Sequence, residues 1–304
     1  MVHNSLLWVT RGNTPTREDP VPPSTTPTLR QQRLGSELRR LREHSGLTST
    51  AAADLLGLKQ AQVSSIEAGR YAVSADRVRT FARTYSCADP ALIEALAEMT
   101  GGRTRGWWDE YREYLPAGLA DLAELEHHAI ELRVALSLHI PALLQTTDHA
   151  RAMLREAVPP FLPYELEHRL SYRIKRQEIL HRSAPLPYTA LLHEAALRMQ
   201  YGGADVARDQ LAHLLERSEQ DNITLRVIPF TSPHFPGNGQ SFDYAVGPTP
   251  RLDTVQLDTH HGGCEFLDAE AQLAKYRTVL DRMENCALEP AESRKFIEHI
   301  MQSH

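Results

Sequence analysis

Three cysteines, Cys87, Cys264 and Cys286, are spread over 304 residues. Their odd number and wide spacing exclude a disulfide framework, which a chain of this length does not need, and point to a reducing compartment. No apolar run approaches the roughly 20 residues that span a bilayer. The first apolar stretch, Leu6 to Val9, is four residues long and has no basic segment before it, so no secretory signal is expected. The expected location is cytoplasmic, with no membrane partner.

Catalytic signatures are equally scarce. There is no GxSxG, no Walker A loop and no GxGxxG, and none of the cysteines stands in a nucleophile motif. His193 and Glu194 start a HExxH pattern, but position 197 is leucine, so two histidines never share a helical face. Asp258, His260, His261 and Cys264 bring oxygen, nitrogen and sulfur donors close together. No second CxxC or HxxxH pair completes a tetrahedral set, and Gly262 and Gly263 read as a loop between a strand and a helix. The chain is therefore expected to be no enzyme, with no cofactor and no metal.

What is present is an uneven distribution of charge. The net charge is -6, yet residues 28 to 88 hold ten Lys or Arg against five Asp or Glu, and residues 89 to 304 hold 21 against 32. Only the first of these segments suits a phosphate backbone; the second repels one.

Within the basic segment, Leu34, Leu38 and Leu41 recur at helical spacing, with Arg33, Arg39, Arg40 and Arg42 on the remaining surface. Gly46 ends that helix, and Thr48 or Ser49 can cap a second, short one in which Ala53 admits a close crossing and Leu55 and Leu56 supply core. Gly57 allows a sharp turn. A third helix from about Lys59 to Ala68 turns Val63 and Ile66 inward and leaves Lys59, Gln60, Gln62 and Ser65 outside, and Gly69 stops it. This is the geometry of a helix-turn-helix whose third helix enters a major groove.

The stretch GLTSTAAADLLGLKQAQVSSIEAGR resembles the Xre or lambda-repressor type of helix-turn-helix. That resemblance implies a pair between Arg42 and Glu67, and base or phosphate contacts from Ser49, Gln60, Ala61, Gln62 and Ser65. Ser49 replaces a frequent glutamine and Ser65 a frequent arginine, so this surface is less basic than in many relatives. Gln60 or Gln62 can read adenine, Ala61 and Ser65 offer a methyl contact or one hydrogen bond, and Lys59, Arg70 and the arginines of the first helix attract phosphate.

Residues 1–28, rich in proline and threonine, read as a disordered arm. Two further amphipathic stripes, around Phe81 and Leu92, complete a five-helix domain over 29–100, and Gly101 and Gly102 mark the boundary. Trp107, Trp108, Tyr111 and Tyr114 then form an aromatic stripe read as core or as a seal between domains. Residues 129–137 fit strand or helix. Helices are expected at 146–157, 163–182 and 204–218, and strands near 188–192, 222–229, 241–246 and 253–258. Two helices close the chain. The loop 232–242 reads as a plain hairpin connection, and His127 and His128 as solvated surface.

In this second half, IPALLQT at 140–146, RLSYRIKRQEIL at 169–180 and NITLRVIPF at 222–230 are similar to the C-terminal domain of actinomycete Xre-type regulators, the WhiJ-like, antitoxin-like group. Ala142 stands where glycine is usual, and Asp258 where glutamate is common. The overall expectation is mainly α with a smaller α+β part: a five-helix lambda-repressor-like domain, then a mixed helical domain over 101–304 with a small β-sheet. The expected function is a dimeric transcriptional regulator on double-stranded DNA, controlled by a small partner protein or ligand. The alternative is an antitoxin-like module that captures a small basic partner.

Overall fold

The computed structural model describes residues 26–100, 106–259 and 263–303. Gly101, Gly102 and all but the last three residues of the expected arm lie outside that set. Five helices come first: α1 (Leu29–His44), α2 (Ser49–Leu56), α3 (Gln60–Glu67), α4 (Ala75–Thr84) and α5 (Pro90–Glu98). Thr28, Thr48, Ser74 and Asp89 each accept a backbone N–H of the first turn of α1, α2, α4 and α5, which satisfies donors that a helix start leaves free. Gly57, at φ 64°, closes α2 in the left-handed region open to glycine. Leu34, Leu38, Leu41, Ile66, Val78, Phe81 and Leu92 form one core. Leu55 does not join it and is 64% exposed. The short α2 points Ala52 and Ala53 inward, and Leu55 falls roughly 200° around the helix from Ala53.

The second part runs α6 (Ala117–His128), β1 (Glu131–Leu136), α7 (Thr147–Arg155), α8 (Pro163–Arg176), β2 (Tyr188–His193), α9 (Glu194–Arg198), α10 (Ala204–Arg217), β3 (Ile223–Ile228), β4 (Phe242–Val246), β5 (Thr254–Asp258), β6 (Cys264–Leu267), α11 (Glu270–Cys286) and α12 (Pro290–Gln302). One six-stranded mixed sheet, ordered β3-β2-β1-β4-β5-β6, organises it. β1, β2 and β3 pair in parallel, as helical crossovers demand, while β4, β5 and β6 pair antiparallel. The period of two sends Leu132, Val134, Ala190, Leu192, Leu225 and Val227 to one face, beneath Leu211 and Leu214 of α10 and Ile297 and Ile300 of α12. Ala135, Leu191, Phe242, Tyr244 and Val255 face the other way, onto Leu273, Leu280 and Met283 of α11. Within 129–137, Glu131–Leu136 is strand, paired with β2 and β4.

Two readings of the connections need correction. Gly263 leads into β6 rather than into a helix, so the 259–263 segment joins two paired strands. The 232–242 loop is no hairpin, because β3 and β4 are separated in the sheet by β2 and β1; it crosses one end of the sheet, where Phe235 packs on His193. The aromatic stripe is core of the second part: Trp108 clusters with Leu115, Ala120, Ala123 and Tyr172. Tyr114 leaves the cluster and stacks on His168 at 4.2 Å.

The two parts dock through a buried carboxylate. Glu37 of α1 is 0% exposed and touches Arg33 at 3.3 Å, Arg40, and Arg251 from the β4–β5 turn at 3.1 Å. Asp268, just after β6, bridges the same Arg33 and Arg40 at 3.0 and 2.8 Å. Beside them Leu252 enters the core of the first part. Its turn is held by Asp253, which accepts the Tyr244 hydroxyl at 2.7 Å and the Gly247 N–H at 2.9 Å.

Removing one partner of such a network leaves uncompensated buried charge. Glu37→Ala is expected to destabilise the docked arrangement by about 3–5 kcal/mol. In scanning calorimetry this reads as two separated unfolding transitions in the variant where the unmodified chain shows closer coupling.

Candidate nucleic-acid interface

The residues of α3 divide as their helical phase requires. Val63, Ile66 and Glu67 are buried, while Lys59, Gln60, Ala61 and Gln62 are exposed around its N-terminal turn. Ser65 is half-buried, Ser49 is half-buried at the start of α2, and Arg70 is exposed just beyond α3. Ser49 and Gln60 meet: the Gln60 Nε2 donates to Ser49 Oγ at 3.2 Å and to Ser64 Oγ at 2.9 Å. Gln62 is committed at its oxygen, which accepts the Lys59 N–H at 3.0 Å and caps α3. The turn is thus a polar ridge held by side chains that still expose hydrogen-bonding atoms.

Close packing sets the orientation of that ridge. Gly35 of α1 lies against α3, where an added Cβ would stand 2.6 Å from the carbonyl oxygens of both Ile66 and Glu67, so only glycine permits this crossing. Arg42 then grips Glu67 through two bonds, Nε to Oε1 at 2.6 Å and Nη2 to Oε2 at 2.9 Å, and donates from Nη1 to the Leu47 carbonyl at 2.8 Å. One guanidinium so joins α1, the turn before α2, and the end of α3.

Four arginines of α1 are paired within the chain. Arg33 and Arg40 belong to the docking network, Arg42 to Glu67, and Arg39 to Glu43 at 2.7 Å. Lys59 and Arg70 make no ion pair among the described residues. Tyr71, Ser64 and Thr50 were not anticipated; all are exposed, Ser64 in contact with Gln60 and Tyr71 by 60% beyond the far end of α3. Only Tyr71 carried a sequence signal, a large aromatic in a loop outside any apolar phase.

Away from this ridge, a second buried pair lies in the body. Arg176 donates Nε to Glu126 Oε2 at 2.8 Å and also contacts Glu126 Oε1, tying α8 to α6. Nearby, burial, reinforced by Asp258 and Glu126 and opposed by Arg176, pushes the Asp243 carboxyl up to about 7. Asp258 accepts from Gln256 at 2.8 Å and sits opposite Cys264 in the β5–β6 ladder. Burial, with Asp258 beside it, pushes the Cys264 thiol up to about 12, away from thiolate chemistry. His260 and His261 lie outside the described residues, and among the described residues no group of three or more His, Cys, Asp or Glu can hold a metal. No helix among them is long and apolar enough to cross a membrane.

A groove-sized helix presented by a tight three-helix junction defines a helix-turn-helix DNA-binding regulator, and residues 33–96 match the family model described as a helix-turn-helix domain. Residues 119–299, more than half of the chain, match the model described as a domain of unknown function (DUF5753), and the chain belongs to that family. Comparison with curated proteins and with solved structures gives no match.

Two outcomes follow from these geometries. Arg42→Met leaves the Glu67 carboxylate buried without its partner and is expected to cost about 3 kcal/mol in urea unfolding; adding Glu67→Leu should restore much of the loss. The Asp243 carboxyl is raised above its ordinary value near 3.9, so the fold favours its protonated form and loses stability as pH climbs from about 4 to about 7. Asp243→Asn should therefore raise the melting temperature at pH 8 and change it little at pH 4.5.

Proposed function

We propose that the chain is a sequence-specific transcriptional regulator of the Xre type, with residues 29–100 reading DNA and residues 101–304 controlling occupancy. It acts as a dimer in the cytoplasm, on an operator with two-fold symmetry, with α3 of each copy in a major groove and half-sites about one helical turn apart. Control comes from a small partner protein or ligand, in the toxin–antitoxin-like arrangement implied by its likeness to WhiJ-like actinomycete regulators. No enzymatic turnover is part of this reading.

The observation that carries it is the placement of the two faces of α1. Gly35 and Arg42 face α3, whereas Arg33, Glu37 and Arg40 face the acidic body. At roughly 100° per residue these sets lie on opposite sides of the helix. The body, which carries 29 acidic against 21 basic residues over 101–304, is thereby docked behind the headpiece, and the ridge from Lys59 to Gln62 stays open. Gln60 or Gln62 reads adenine, Ala61 and Ser65 make short contacts, Ser49 positions Gln60, and Lys59 and Arg70 hold phosphate.

The acid excess of the body also supports a second reading, capture of a small basic protein with weak DNA contact. Genome-wide recovery of bound fragments separates the two. On a recovered site, Gln60→Ala with Gln62→Ala should lower discrimination by about 1–3 kcal/mol per lost base contact in gel-shift competition, while binding to random DNA changes little. Lys59→Ala and Arg70→Ala should each reduce the salt dependence of binding by about one phosphate equivalent. No preference for any fragment at low salt, with a partner copurifying on the body, would favour the capture reading.

A further inference from the structure

The joint between headpiece and body is not filled. A cavity of about 340 Å³ opens there, within the range that takes a small organic ligand. Leu29 of α1 and Met99 after α5 form its wall on one side; Leu125 of α6, Val246 of β4 and Phe266 of β6 form it on the other. Any occupant touches both parts of the molecule at once.

The charge around this apolar lining is unbalanced. Four carboxylates border the cavity, Glu98, Asp121, Glu124 and Asp268, against two guanidiniums, Arg30 and Arg33. Arg33 is already held by Asp268 at 3.0 Å, by Glu37 at 3.3 Å and by the Arg251 carbonyl at 2.5 Å. Arg30 donates to the Glu98 carbonyl at 3.0 Å. Asp121 accepts the Leu29 N–H, Glu124 is attracted by Arg30, and the two carboxylates, three residues apart on one face of α6, share one arginine outside the lining. That residue, Arg112, bonds Asp109 at 2.5 Å and stands 3.6 and 3.9 Å from the other two carboxylates, beyond hydrogen-bond reach. Burial accordingly pushes both carboxyls above their ordinary values. One oxygen of each, Asp121 Oδ1 and Glu124 Oε2, is buried without a hydrogen-bond partner among the described residues.

We propose that this cavity is an effector site for a small amine with an apolar body, its ammonium group set against Asp121 and Glu124 and its hydrocarbon against Leu125, Val246 and Phe266. A carboxylate or phosphate ligand would meet four like charges there. Because the occupant contacts α1 and the end of α5 as well as α6 and the sheet, binding changes how the headpiece sits on the body. This deepens the regulatory reading above and rests on it for its consequence, though not for the binding itself.

The test uses the full chain, 4-phenylbutylamine as probe and 4-phenylbutyrate as its oppositely charged counterpart, in isothermal titration. The amine is expected to bind, and the acid at least tenfold more weakly. Asp121→Asn with Glu124→Gln should weaken the amine at least tenfold. Ser36→Leu, which fills the cavity from α1 at a hydroxyl with no hydrogen-bond partner among the described residues, should abolish binding while leaving the melting temperature near that of the unmodified chain. Absence of amine binding at millimolar concentration, equal binding of the acid, or binding unaffected by Ser36→Leu each overturns the site. With a bound DNA fragment in hand, the amine should change DNA affinity and DNA should change amine affinity by the same factor. Amine binding without that reciprocity overturns the effector role. Failure of the DNA-reading proposal shows separately, as no fragment preferred with or without amine.

Discussion

Glu37 is the group around which the two halves of this molecule are arranged. A carboxylate with no solvent exposure is tolerated only when its charge is met, and Arg33, Arg40 and Arg251 meet it from two directions. Two of these arginines belong to the same helix as Glu37, so the docking face of α1 is electrostatically organised before the body arrives. Asp268 and Arg251 then complete a network that extends from α1 to the sheet. The network leaves the headpiece with one helix face committed to docking and the opposite face committed to α3.

That division has a functional consequence through charge. The body is acidic and would repel a phosphate backbone at short range, whereas residues 28–88 carry an excess of basic side chains, on α1, around α3 and on α4. Much of the positive charge of α1 is, however, consumed internally. Arg33 and Arg40 neutralise the docking acids and Arg42 neutralises Glu67, which leaves Lys59 and Arg70 as the exposed cations beside α3, with Arg39, Arg77 and Arg83 exposed elsewhere on the headpiece. A surface with few free cations and several side-chain amides is suited to discrimination among sequences more than to indiscriminate grip.

Coupling between a ligand and a reader requires contact with two elements that can shift against each other. The joint here has that form. It combines a rigid polar clamp at Glu37, the Leu252 side chain inserted into the headpiece core, and an open cavity a short distance along the same helix.

Periodicity alone was enough to place α1 to α5, β2 to β5 and both final helices, because amphipathic spacing and local turn residues act within a few positions of the chain. It also marked Gln60, Gln62 and Lys59 as outward, since helical phase follows from Val63 and Ile66. It failed where the answer depended on partners distant in sequence. Leu55 is apolar yet exposed because α2 is too short to bury two faces, and Glu131–Leu136 became strand because β2 and β4 flank it. The 232–242 loop, similar to a hairpin in composition, crosses the sheet because β2 and β1 intervene. Glu37 and Asp268, separated by over two hundred residues, read only as surface charges until the fold brought their arginines together. The sequence by itself determined most of the elements and the outward side of α3, which are local; tertiary structure alone decided which charges are spent on docking and where the cavity opens, because those depend on long-range packing that no periodicity records.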